Sequence, residues 1–148
     1  MSLVYRLCFF ASLLTTHSIA FADTLGDRAE ARQLADRVME KVAAGKIDEG
    51  VRLTRPYYAN VTDTQFQLIL EGFEEKRKGL SMSETFGKTL GTEFIREEKV
   101  GEHLFRLTYM QRCDKFPMRW EFYFYHGKDG WTMYWMSWDD DIVGMFPR

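Results

Sequence analysis

The spacing of apolar residues changes at Gly91 from steps of three and four to steps of two, and no other feature limits the fold as much. Upstream are amphipathic helical patterns broken by Gly45 and Pro56. Downstream, β-branched and aromatic residues take over in four runs joined by short polar turns. Parallel strands need crossovers of about a dozen residues or more, and no connection after Gly91 is that long. The chain is therefore expected to be α+β, with N-terminal helices packed on a curved four-stranded antiparallel sheet.

In the helical half, Ala31, Leu34, Ala35, Val38 and Val42 share one face of a helix predicted over 25–44, which Gly45 closes. A shorter turn is predicted over 47–53, where Ile47 and Val51 share a face and Pro56 stops the run. Thr62-Asp63-Thr64-Gln65 has the form of a capping box, with Val61 and Phe66 placed for the hydrophobic staple around it. The helix it opens should run to about Lys78 and bury Phe66, Ile69, Leu70 and Phe73. Lys76-Arg77-Lys78 then complements the dipole at that helix's C-terminus. Ser81-Met82-Ser83-Glu84 repeats the box and opens a short turn limited by Gly87 and Gly91.

Strands are predicted over 92–100, 102–112, 118–125 and 131–138, forming a meander. Strict alternation puts Met118, Trp120, Phe122 and Phe124 on one face of the third strand and Arg119, Glu121, Tyr123 and Tyr125 on the other. In the fourth it sets Trp131, Met133 and Trp135 against Thr132, Tyr134, Met136 and Trp138. Trp120 and Phe122 are expected in the helix-facing core with Leu34, Val38, Ile69 and Phe73. The opposite face carries more aromatic area than a solvated sheet normally exposes, so it should be sheltered by curvature, a partner subunit or a ligand. Tyr123, Tyr125, Tyr134, Trp138 and Arg119 are accordingly the candidate ligand-binding residues. Arg106, Thr108, Arg112 and Glu121 are further orienting groups if they share a concave surface.

Residues 1–22 read as a secretory signal peptide: Arg6 in a short positive start, an apolar stretch from Leu7 to Leu14, and Ala20-Phe21-Ala22 as a cleavage site. That leaves 23–148 as one domain in the periplasm or outside the cell, with no membrane insertion after cleavage. The net charge of −2, one unit lower without Arg6, argues against a nucleic-acid or anionic-membrane surface, since both require clustered positive charge. Cys8 leaves with the leader, so Cys113 has no intramolecular partner and is expected to be buried and inert.

No metal site or cofactor is expected. Asp139-Asp140-Asp141 with Gly144 begins like a calcium loop but lacks the closing glutamate. It reads instead as a strand ending in a polar turn whose aspartate caps a short helix around 142–145. His103 and His126 are expected at opposite ends of the meander, in or near turns, and neither has a second histidine or cysteine at ligand spacing. Met110, Met118, Met133 and Met136 are read as core filling rather than soft-metal ligands.

The helix carrying Leu34, Val38 and Val42, its end at Ala44-Gly45-Lys46-Ile47, and the Gly127-Lys128-Asp129-Gly130-Trp131 turn into an aromatic last strand together bear a resemblance. Over nearly all of 23–148 the chain resembles the nuclear transport factor 2-like (cystatin-like cone) superfamily, above all its small secreted members without assigned chemistry. The resemblance implies helices covering a curved sheet to form a cone. Residues 57–61 are short for the extra strand often found between helices in that superfamily. Its enzymes are isomerases, dehydratases or cyclases, and those like ketosteroid isomerase set a carboxylate base and acidic hydrogen-bond donors in an apolar cavity. No such motif matches here residue by residue, so no catalytic residue is assigned.

Fold alone does not choose among the resulting functions. The leading expectation is a non-catalytic ligand- or partner-binding domain, taking an apolar small molecule and dimerising through the aromatic sheet face. The alternatives are a small cone-pocket enzyme (isomerase, dehydratase or hydrolase) acting on an apolar molecule, and a homo-oligomeric assembly subunit.

Overall fold

The computed structural model describes residues 23–79 and 82–146. The leader assigned to 1–22 and the Ser81 end of the second capping box lie outside the described residues. Four helices precede four strands: α1 Arg28–Ala43, α2 Ile47–Arg52, α3 Asp63–Gly79, α4 Met82–Thr85, β1 Thr89–Val100, β2 Leu104–Cys113, β3 Met118–His126 and β4 Trp131–Asp139. The order β1-β2-β3-β4 is an antiparallel meander, so the α+β expectation holds.

α1 begins later than its apolar pattern, because Asp27 accepts a hydrogen bond from the Glu30 N–H at 2.8 Å and fixes the start. Leu25 instead pairs with Trp131, exchanging N–H···O bonds of 2.9 and 3.0 Å. The capping box forms as its sequence dictates: the Gln65 N–H donates to Thr62 Oγ1 at 3.2 Å and the Thr62 N–H donates to Gln65 Oε1 at 2.8 Å. α2 lies tight on α1 through Gly50, where a Cβ would come within 2.9 Å of the Val38 carbonyl oxygen. Only glycine permits that approach without moving backbone.

α1 packs on β1 and β2. Its Arg32 guanidinium lies 3.3 Å over the Phe94 ring, and its Asp36 accepts a 2.7 Å hydrogen bond from the Tyr109 hydroxyl. α3 covers the other half of the sheet through Phe73, whose ring lies 6.1 Å from Trp120 and 6.4 Å from Trp138. Leu34, Val38, Trp120, Phe122 and Phe124 are fully buried between the layers, with Ile69 and Phe73 half-buried at the margin. Trp120 Nε1 donates to Gln111 Oε1 at 2.9 Å, which satisfies both groups away from water.

The alternation expected of β4 fails after Met133. Tyr123 pairs with Trp135 but Phe124 pairs with Met133, so Tyr134 is an extra residue, a β-bulge. Past the bulge the faces exchange. Met136 and Trp138 turn to the helices and are buried, whereas Trp135 joins Tyr134 outside, half exposed. Trp138 therefore does not share a face with Tyr123 and Tyr125; it stacks on Trp120 at 6.0 Å.

The two histidines are likewise not at opposite ends of the meander. The β1–β2 and β3–β4 turns lie at the same end of an antiparallel sheet. There the His126 N–H donates to the His103 carbonyl at 2.8 Å, and the two rings are 5.6 Å apart.

Candidate functional site

β4 is an edge strand, and its free side is only partly closed. Leu25 pairs with Trp131 and Tyr58 bridges Met133, but from Met136 onward the strand faces α3 across a groove. The floor of this groove is Met136, Ser137 and Trp138; its α3 wall is Leu68, Ile69, Gly72, Phe73 and Lys76; Trp135 stands at its rim. The groove has a volume of about 370 Å³, within the range of small-molecule sites. Its rim is apolar yet open, with Leu68 61% and Trp135 51% exposed. The Lys76 ammonium donates to the Trp138 carbonyl and lies 4.7 Å from the centre of that indole, so the cluster read as a helix-end charge reaches across to the sheet edge. It occupies one backbone acceptor of an edge that would otherwise be a template for another strand.

The outer face of the sheet is different in kind. Its cross-strand rows bring Arg96, Thr108, Glu121 and Ser137 together, with Glu98, Arg106 and Tyr123 in the row on one side and Arg119 and Asp139 in the row on the other. Arg119 forks onto Asp139 at 3.1 and 2.8 Å and reaches Asp141 at 3.3 Å. Arg106 holds Glu98 and approaches the buried Glu121 carboxylate at 3.0 Å. The Tyr123 hydroxyl donates to Glu121 at 2.7 Å and accepts from Arg106 at 3.3 Å; burial, reinforced by that carboxylate, pushes its acidity down. Burial alone would raise the Glu98 carboxyl, yet the hydrogen bonds from Arg106 and Arg96 win and hold it below the usual carboxylate range.

The C-terminal segment closes part of this face. Asp139 accepts from the Asp141 N–H at 3.0 Å and Asp141 from the Gly144 N–H at 3.1 Å, capping a short 3₁₀ turn at Val143–Met145 as the sequence implied. Arg96 then donates to the carbonyls of Gly144 and Met145. Between turn and sheet lies a polar cavity of about 470 Å³ bordered by Arg96, Glu98, Arg106 and Arg119. Its charges are already matched to one another, so its arrangement does for the C-terminal turn what a ligand would otherwise do.

The structure thus divides the residues grouped from sequence. Arg119 and Tyr123 belong to the outer network, Trp138 to the floor of the α3–β4 groove, and Tyr125 and Tyr134 stand exposed on the outside of the sheet. Leu68, Gly72 and Trp135 enter the groove unforeseen. Leu68 lies off the apolar stripe of α3, and Trp135 is misplaced by any strict count of two. Cys113 is half-buried and its thiol is pushed up by burial, which disfavours the thiolate. Among the described residues no three His, Cys, Asp or Glu side chains converge as a metal site, and no helix is long and apolar enough to cross a membrane. No family model, curated protein or solved structure matches the chain.

Proposed function

We propose that this chain is a non-catalytic binding domain of nuclear transport factor 2-like architecture, acting in the periplasm or outside the cell, whose site is the groove between α3 and β4. The observation that carries this reading is the groove's chemistry. It offers open apolar area around Trp138, and its one ionisable lining side chain, Lys76, is already engaged. Such a lining supports retention of an apolar molecule and supplies no general acid and base pair. The test uses 1-anilinonaphthalene-8-sulfonate as probe. A Cβ at Gly72, on the α3 wall of the groove, meets nothing within 4 Å, so Gly72→Leu adds apolar bulk there from an unobstructed position. The dye should bind the parent saturably and the variant at least about tenfold more weakly, equivalent to about 1.4 kcal/mol. Equal binding to both places the apolar site elsewhere.

A second reading, self-association, is favoured by one observation: Tyr134 at 70% exposure, Trp135 and Leu68 cluster along the unpaired end of an edge strand. The homodimer is then built on this edge rather than on the face that Arg119 and Tyr123 occupy. Sedimentation of the parent and of Trp135→Glu separates the readings: a dimer that the variant abolishes supports association, and a parent monomer at high concentration refutes it.

A further inference from the structure

We infer that His103 and His126 form a cross-strand two-imidazole site for a divalent late first-row transition ion. His126 ends β3 and His103 immediately precedes β2, one step beyond the Leu104–Tyr125 pair. The 2.8 Å hydrogen bond from the His126 N–H to the His103 carbonyl fixes the two residues opposite each other. Directly opposed residues of an antiparallel pair carry their Cβ atoms about 4.5–5.5 Å apart, so both side chains leave the same face side by side.

The ring spacing then decides what the pair can hold. A metal–imidazole bond is about 2.0–2.1 Å and the ring centre lies about 1.2 Å behind the nitrogen, which puts each ring centre about 3.2 Å from a shared ion. Two such ligands at a tetrahedral angle have centres about 5.2 Å apart. The observed 5.6 Å needs only a slightly wider angle. No hydrogen bond or ion pair among the described residues engages either imidazole, so their lone pairs have no competing partner. Trp131, the cross-strand neighbour on the other side, meets the His126 ring edge-on at 4.9 Å and restrains it, while His103 is exposed and leaves the approach open.

Imidazole selects Ni²⁺, Cu²⁺ and Zn²⁺ over the hard cations. Among the described residues no third protein ligand is at hand, so water completes the coordination and the ion remains exchangeable. The test uses Cu²⁺, at the head of the affinity order for nitrogen ligands, in a non-chelating buffer. The protein is the untagged full chain with Cys8→Ala, His17→Ala and Cys113→Ala, which leaves the pair as the only imidazoles and no thiol. Saturable 1:1 quenching of tryptophan fluorescence is expected, with Trp131 as the nearest reporter. His103→Ala, at an exposed turn, should weaken it at least about tenfold, and His126→Ala by as much, with circular dichroism unchanged. A two-point site loses chelation when either point is lost, so the double variant should be little worse than either single one. Absence of saturable quenching in the parent, or a double variant within about threefold of it, overturns the site.

Discussion

Replacing Trp120 by phenylalanine tests the core at the one place where packing and hydrogen bonding can be told apart. Trp120→Ala is too blunt. Truncating a fully buried indole costs about 3–5 kcal/mol, and stranding the buried Gln111 carbonyl adds about 1–3, which together rival the total stability of a typical domain. Phenylalanine keeps a ring against Trp138 and Phe73 but removes the indole N–H, so Gln111 Oε1, on a residue 1% exposed, loses its donor. The expected loss is about 2–4 kcal/mol: about 1–3 for the unpaired carbonyl and the rest for lost ring volume. Adding Gln111→Met removes the stranded group itself. Its amide donates only to Thr89 Oγ1, on a residue half-exposed to water, so little else is given up. The double variant should therefore recover at least about 1 kcal/mol relative to Trp120→Phe alone. Urea melts at unchanged slope give both numbers from the midpoints. If the second substitution instead adds its own loss, the 2.9 Å bond is not what holds this pair in place, and the reasoning fails.

At Gly144 a Cβ would fall 1.8 Å from the Arg119 guanidinium, so Gly144→Ala must lift the C-terminal turn or break the Arg119–Asp139 fork. It should cost about 1–3 kcal/mol and speed proteolysis after Asp140, and Arg119→Ala in the same chain should relieve most of the clash. Glu98, held below the ordinary carboxylate range, contributes stability that is present above about pH 4.3 and lost as pH falls through its lowered folded value. Glu98→Gln should thus destabilise at neutral pH by less than about 1 kcal/mol, because the pair is partly exposed, and the difference should close in acid melts. Mass spectrometry of exported protein should find a chain beginning near Asp23, and full-length protein recovered only from the cytosol would overturn the periplasmic or secreted assignment.

What was legible in the sequence was whatever neighbours in the chain decide. Thr62 and Gln65 are three residues apart and satisfy each other, so the start of α3 could be read directly. The four strands fall within three residues of their predicted bounds because turn residues punctuate them locally. The Asp141 cap on the last turn was readable for the same reason. What escaped depends on pairing between distant segments. Nothing near Tyr134 announces a bulge; it exists because Tyr123 and Phe124, ten residues earlier, take Trp135 and Met133 as partners. The faces of Met136 and Trp138 were misread with it, and Trp138 was grouped with residues whose face it does not share. His103 and His126 were separated by counting along the chain, whereas a meander folds alternate turns to the same end. Phe86, 2% exposed, was not foreseen as core, and its backbone is tied by the Lys115 N–H to a segment far along the chain.

The bulge also means that β4 carries one residue more than its pairing with β3 requires. Tyr134 points outward at 70% exposure, so replacing it with serine or lysine leaves the core untouched. Deleting it shortens the chain by one residue and closes the bulge, leaving Trp135 next to Met133 and still opposite Tyr123 in a regular ladder. Met136 and Trp138 would go on facing the helices beside Trp120 and Phe73, and Asp139 would stay opposite Arg119, whereas a residue lost from 136–138 has no spare neighbour to replace it and would carry Asp139 out of register. Among variants of this protein, position 134 should tolerate nearly any letter and also a gap, gaps should gather there and in the loop at 127–130, and none should fall at 136–138.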